Sequence, residues 1–289
     1  MVTPIPRIDA KTKLCAVIGN PVEHSLSPAI HNAAFEALAL NYVYVAFRVE
    51  DVAGAISGLR ALGNFRGLSV TIPHKVSIMR YLDEIDEIAK NIGSVNTVVN
   101  ENGVLKGSSS DGPGALKALA DCGIELPGRD VLVLGSGGAA RAIAFTLAMT
   151  DRPPKISVLG VIPEEVDKLT HDLKQKTTAC VNGMLLDHSS LRKGVETADI
   201  IIHCSPVGMH PRTDETLVPK ELLQPRHLVF DIVYNPRRTR LLAEAESAGC
   251  TTIPGIEMCV NQAMVQFELW TGQRAPGSVM RRVVEESLR

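Results

Sequence analysis

The segment that most restricts what this chain can fold into is Val131-Leu132-Val133-Leu134, which runs unbroken into Gly135-Ser136-Gly137-Gly138-Ala139-Ala140. Four apolar residues in a row suit a strand covered on both faces, and the run from Ala139 to Met149 suits a helix. Glycines at 135 and 137 permit a tight turn and a close approach of backbone to a pyrophosphate. The free N–H groups of the helix start would meet its charge. Such a triplet carries weight only between a strand and a helix, the setting found here. Dinucleotide binding is therefore expected at Gly135, Ser136, Gly137, Gly138, Ala139 and Ala140, against the alternative of a structural glycine turn.

The same alternation of short β-type runs and helical patterns recurs along the chain, the mark of an α/β protein with mostly parallel sheets. Strands are expected at Leu14–Ile18, Tyr42–Phe47, Leu68–Thr71, Val95–Val99, Val104–Leu105, Val131–Leu134, Ile156–Leu159, Ile200–His203 and Leu228–Val233. Ser27-Pro28 reads as an N-cap followed by a first-turn proline. From Gly255 the pattern is that of two helices. At about 150 residues per domain, 289 residues make two domains. The pattern changes character just after Asp111-Gly112, where the boundary is placed.

Composition excludes several classes. The 30 Lys and Arg against 32 Asp and Glu give a net charge of −2, no basis for non-specific nucleic-acid or membrane-surface binding. With 45% apolar residues the chain is not a disordered one. No apolar run approaches the roughly 18 residues of a membrane span. Met1 to Arg7 lacks the apolar region of a secretory signal, so a cytoplasmic protein is expected. Six scattered cysteines without a C-x-x-C pair read as reduced, mostly buried thiols. No metal site is expected, since His203-Cys204 is the nearest approach to a ligand pair and adjacent strand residues point to opposite faces.

The first half is dense in polar residues at strand ends. Ser25 and Ser27 place two hydroxyls at a helix start, a setting that suits a carboxylate, although Ser27 as a mere cap explains it equally well. Lys75 follows a strand end and, taken alone, reads as a solvated lysine. Asn96 stands in an apolar strand, where a buried amide must find partners. Asp111 falls at the domain junction, where ligand crevices concentrate.

Taken in order, these segments resemble the shikimate/quinate dehydrogenase family over essentially the whole chain. The likeness is carried by Gly19-Asn20-Pro21-Val22-Glu23-His24-Ser25-Leu26-Ser27-Pro28, Val70-Thr71-Ile72-Pro73-His74-Lys75, Ser94-Val95-Asn96-Thr97 and Gly107 to Gly112. It continues through Gly135 to Arg141, Pro206-Val207-Gly208-Met209, Asp231 to Pro236 and Gly255 to Gln262. The resemblance implies an α/β fold with an N-terminal substrate-binding domain and a Rossmann-type dinucleotide-binding domain, the C-terminal helices returning to the first. The domains would be residues 1–111, completed by 255–289, and 112–254.

It also implies roles. Ser25 and Ser27 would bind a substrate carboxylate. Thr71, Lys75, Asn96, Asp111 and Gln262 would hold ring hydroxyls, with Lys75 and Asp111 the catalytic pair. Gly255 and Met258 would lie near the nicotinamide. The implied reaction is reversible, nicotinamide-dependent conversion of 3-dehydroshikimate to shikimate. Quinate or aminoshikimate dehydrogenase, or a shikimate-binding paralogue with little turnover, is the alternative. A small hydroxy-carboxylate is thus the expected partner, to a monomer or homodimer.

The chain departs from the family in four places. Ser69 stands where Asn is usual, Ser109-Ser110 where Asn-Thr is usual, and His203 where an asparagine is common. Gly160-Val161-Ile162 replaces the Asn-Arg-Thr that ends the ribose-reading strand, and Glu164 and Glu165, which follow, read as a solvated first turn. Arg152 and Lys155 precede that strand, at the end away from the site. The cofactor is NAD or NADP, with the lean toward NAD because Val161 cannot pair a 2′-phosphate.

Overall fold

The computed structural model describes residues 8–150 and 154–288, so the reading of Met1 to Arg7 and the placement of Arg152 lie outside the described residues. The chain divides into two compact units: residues up to Ser110 together with Gln262–Ser287, and Asp111–Asn261. The first division falls one residue before the expected one. The second falls inside a long helix, seven residues after Gly255.

The first unit is built on a six-stranded sheet. Its strands are β1 (Lys13–Gly19), β2 (Tyr42–Arg48), β3 (Phe65–Val70), β4 (Glu84–Ile85), β5 (Thr97–Glu101) and β6 (Val104–Ser108), in the order β2-β1-β3-β5-β6-β4. β1, β2 and β3 run parallel, while β5 is antiparallel to both β3 and β6. Cys15, Ala16, Val17 and Ile18 are all buried, as a strand covered on both faces requires. Helices α1 (Ser27–Ala37), α2 (Val52–Arg60) and α3 (Glu87–Ile92) fill the connections. Ile56 and Leu59 of α2 pack with Ile18, Leu68 and Val98 in one apolar cluster. Ser27 does not cap α1: Leu26 is the N-cap residue, already in the helical region, and Pro28 sits in the first turn. Asn96 lies just before β5 rather than within it.

The second unit carries strands β7 (Asp130–Leu134), β8 (Lys155–Gly160), β9 (Val181–Leu185), β10 (Ile200–His203), β11 (Leu228–Asp231) and β12 (Thr251–Ile253), all parallel. Their order, β12-β11-β10-β7-β8-β9, is that of a doubly wound dinucleotide-binding sheet, with its switch point between β7 and β10. Helices α4 (Asp111–Asp121), α5 (Gly138–Ala148), α6 (Pro163–Lys176), α7 (His188–Thr197) and α8 (Arg240–Ser247) complete it. A Cβ on Gly112 would come within 1.8 Å of Thr146 Oγ1, so α4 and α5 cross nearly backbone to backbone. The edge strands β9 and β12 and the helix α7 escape the sequence patterns. β9 carries Asn182-Gly183 and β12 has three residues, too few for an alternation to register.

Two helices close the chain, α9 (Gly255–Thr271) and α10 (Gly277–Ser287). Phe267 and Trp270 of α9 and Met280 and Val284 of α10 are buried. The Trp270 indole N–H donates to the carbonyl of Val98 at 3.0 Å, which ties the end of α9 to β5. Among the described residues no helix is long and apolar enough to cross a membrane. The thiols are less buried than expected: Cys15 is buried, but Cys122 and Cys180 are exposed and the other three are intermediate.

Candidate active site

The carboxyl ends of β1 and β3 are laced together. Thr71 N donates to the carbonyl of Ile18 at 2.9 Å and Asn20 N to that of Ile72 at 3.0 Å. A Cβ on Gly19 would sit 2.5 Å from Thr71 Cγ2, so only glycine lets the two loops meet. Val95 N donates to the carbonyl of Lys75 and Val70 N to that of Asn96, both at 2.8 Å. These bonds bring the backbone at Thr71, Lys75 and Asn96 to one end of the sheet. At the start of α1, Ser25 Oγ accepts from Ser27 N at 3.3 Å. That helix has no side-chain cap and no acid in its first turn, which leaves its dipole available to an anion.

Behind these residues runs a chain of buried polar side chains. Tyr44 donates to Ser69 Oγ at 2.6 Å, and Ser69 donates to Gln266 Oε1 at 2.9 Å. Gln266 Nε2 donates to Thr97 Oγ1 at 3.0 Å, and Thr97 to Asn96 Oδ1 at 2.7 Å. The same Asn96 oxygen accepts from Ser110 N at 2.8 Å, while Asn96 Nδ2 donates to Ser110 Oγ at 3.1 Å. Ser110 Oγ reaches Gln262 Oε1 at 3.3 Å. A buried amide with both its oxygen and its nitrogen engaged holds one rotamer, so Asn96 is set before any ligand arrives. The hydroxyl of Ser69 is spent inside this chain, on Tyr44 and Gln266.

His31 caps the chain's far end. Its ring stacks on Tyr44 with centroids 4.6 Å apart and lies 5.0 Å from the Trp270 ring. Burial pushes its pKa down to about 3, so the ring is neutral. Burial likewise drives the Tyr44 phenol well up, against the bond to Ser69.

In the second unit the loop after β7 fits a dinucleotide. Gly135 has φ +121°, and a Cβ there would sit 2.8 Å from the carbonyl oxygen of Cys204. Gly137, the N-cap of α5, and Gly138, its first residue, face open space. No side chain caps α5, so its first N–H groups are free to meet a pyrophosphate. Ala140 is fully buried, which lets the helix seat against the sheet. A Cβ on Gly255 would meet the carbonyl of Val233 at 2.5 Å, so α9 starts hard against the end of β11. Met258, one turn on, is mostly buried. Asp111 is the first residue of α4, joined directly to Ser110.

His203 is committed elsewhere. Its Nδ1 lies 2.8 Å from Asp231 Oδ1 and its Nε2 2.6 Å from Ser205 Oγ. Asp231 also accepts from Thr239 Oγ1 at 2.6 Å and from Val233 N at 3.0 Å. Among the described residues no cluster of three His, Cys, Asp or Glu side chains could hold a metal.

Sequence reasoning missed Tyr44, Thr97 and Gln266. Tyr44 hides in an apolar strand, and Gln266 looks like any polar residue on a long helix. A glutamine on the buried face of α9 is the signal that would have found it, once the helix was known to be covered.

A family model for the shikimate dehydrogenase substrate binding domain matches residues 17–98. A second, for the shikimate 5′-dehydrogenase C-terminal domain, matches residues 255–285. The chain is 43% identical over 284 residues to the shikimate dehydrogenase (NADP(+)) of Moorella thermoacetica, covering 98% of this chain and 96% of that one. A shikimate dehydrogenase solved in complex with NADP+ superposes with a TM-score of 0.90 at 39% identity, covering 99% of each chain. The shikimate 5-dehydrogenase of Listeria monocytogenes, in complex with shikimate and NAD, gives 0.90 at 38% identity, over 96% of this chain and 98% of that one.

Proposed function

The chain belongs to the shikimate dehydrogenase family, and from that premise we propose that it interconverts 3-dehydroshikimate and shikimate, with NAD serving at least as well as NADP. It is an oxidoreductase acting on a secondary alcohol with a nicotinamide cofactor. The observation that carries the substrate reading is the buried polar chain that ends at Asn96, Ser110 and Gln262. The carboxyl ends of strands in α/β sheets are where ligands ordinarily bind, and here amides and hydroxyls gather at that end, chemistry that suits a polyhydroxylated ring.

Residues 1–111 with 255–289 bind substrate, and 112–254 bind the dinucleotide. Ser25 and Ser27 take the substrate carboxylate, aided by the uncapped start of α1. Thr71, Asn96 and Gln262 hold ring hydroxyls. Lys75 and Asp111 hydrogen-bond the reacting hydroxyl and move its proton. A bound nicotinamide supplies the partner for hydride transfer. Gly135, Ser136, Gly137, Gly138, Ala139 and Ala140 seat its pyrophosphate, and Gly255 and Met258 line the nicotinamide end.

The lean toward NAD rests on Val161, a 73% exposed valine where the family places arginine. The test is a panel of shikimate, quinate and aminoshikimate against NAD and NADP, followed by absorbance of the reduced nicotinamide. Shikimate turned over fastest, with NAD at least equal to NADP, is the expected result. No turnover of shikimate with either cofactor overturns the reading.

A further inference from the structure

The loop after β8 is where a dinucleotide fold reads the adenosine ribose, through an acid for the 2′-hydroxyl or a cation for the 2′-phosphate. Gly160, Val161 and Ile162 offer neither group. The structure brings one from elsewhere. Gly160 leaves room for the phosphate loop to settle on the end of β8: a Cβ there would sit 2.7 Å from Ser136 Oγ. From that position Ser136 Oγ donates to Glu165 Oε2 at 2.9 Å. Glu165 belongs to the first turn of α6, which begins at Pro163 immediately beyond the loop. Its carboxylate is thus tethered beside the second residue of the glycine loop, at the carboxyl end of β8.

Two basic side chains on the flanking helices are engaged with another acid. Arg141 of α5 bonds Asp172 and lies over the Phe145 ring, and Lys168 of α6 pairs with the same aspartate at 3.3 Å. Glu165 thus brings a negative charge to the end of β8, beside the glycine loop. The residue read in the sequence as part of a solvated first turn is held by a hydroxyl of the cofactor loop.

We propose that Glu165, positioned by Ser136, is the specificity residue of the cofactor site. It accepts hydrogen bonds from the vicinal hydroxyls of the adenosine ribose and rejects a ribose 2′-phosphate by charge. The proposal rests on the reading that the loop from Gly135 holds a dinucleotide. A ribose 2′-hydroxyl has a proton to donate to the carboxylate. A 2′-phosphate has close to two negative charges to set against it.

The test is equilibrium binding, by calorimetry, of NAD, NADP and 2′-deoxy-NAD to the wild type, Glu165→Gln and Ser136→Ala. Glu165 is exposed, so the glutamine variant keeps the fold. The wild type should bind NAD more tightly than NADP. Glu165→Gln should weaken NAD about tenfold, the scale of one charge-assisted hydrogen bond, and tighten NADP. Ser136→Ala should move both affinities the same way by less. With 2′-deoxy-NAD the gap between the wild type and Glu165→Gln should narrow, since one of the two hydroxyls that the carboxylate accepts from is gone. NAD binding with an NAD-to-NADP ratio unmoved by Glu165→Gln overturns the proposal and leaves the cofactor reading standing. Failure of both dinucleotides to bind the wild type overturns the two together.

Discussion

The indole of Trp270 packs directly against Gly67: a Cβ on that glycine would fall 2.1 Å from Trp270 Cδ1 and Nε1. Gly67 is in the middle of β3 and Trp270 near the end of α9, so the pair joins the C-terminal helix to the centre of the first sheet. The same sheet carries Thr71 at the end of β3 and Asn96 beside it. A helix seated this closely also fixes Gln266, one turn before Trp270, against Thr97.

Gly67→Ala should therefore destabilise the first unit by about 1–3 kcal/mol, the usual cost of forcing extra volume into a packed core. Trp270 is the only tryptophan in the chain, so its fluorescence reports the transition directly. An alanine variant with an unchanged urea midpoint would contradict the close packing.

Lys75→Ala and Asp111→Ala should each lower turnover by about 10²–10⁴-fold, the range supplied by a positioned acid–base group. For Lys75→Ala the substrate KM should change far less than kcat. Near-wild-type turnover in either variant would remove that residue from the proton relay.

Ser25→Ala should weaken shikimate by about 1–3 kcal/mol, because one carboxylate oxygen loses its donor. The control is an analogue bearing an amide in place of the carboxylate. Equal loss for acid and amide would mean that Ser25 does not read the charge.

Val161→Arg should shift preference toward NADP by about 1–3 kcal/mol, as a guanidinium pairs the 2′-phosphate. The quantity to compare is the ratio of kcat/KM for the two cofactors in variant and wild type. A wild-type preference for NADP of about a hundredfold, or about 2.7 kcal/mol, would show that another cation reaches the phosphate.

His31 makes stability depend on pH. The buried ring titrates near pH 3 and the same side chain in the unfolded chain near its ordinary 6.5. Between those values the unfolded state binds more protons, so stability rises with pH across the window. The contribution is complete above about pH 6.5 and is lost on acidification, by at most about 1.4 kcal/mol per pH unit. Denaturant titrations at several pH values in that window should show a shallower slope for His31→Leu than for the wild type. Parallel slopes would mean that another group carries the dependence.

Much of the fold is legible in the sequence because its signals are local. A buried parallel strand needs an unbroken apolar run, so Cys15–Ile18, Val131–Leu134 and Ile200–Ile202 announce themselves. A phosphate loop needs glycine where the backbone turns at positive φ, and Gly135 is that residue. The ordered polar motifs from Ser25 to Gln262 name a family for the same reason: each is a short stretch whose residue types are set by its own chemistry.

What tertiary structure alone decides is which distant groups meet. Tyr44, Ser69, Gln266 and Thr97 come from β2, β3, α9 and β5, and no short-range pattern predicts that their polar atoms are joined in one chain. Glu165 differs from Glu164 in sequence only by one position, yet it is Glu165 that bonds Ser136 across 29 residues. Edge strands such as β9 and β12 are set by the neighbour they pair with rather than by their own residues. Periodicity records which face of an element is buried. It carries no record of the partner, because burial looks the same whatever side chain supplies it.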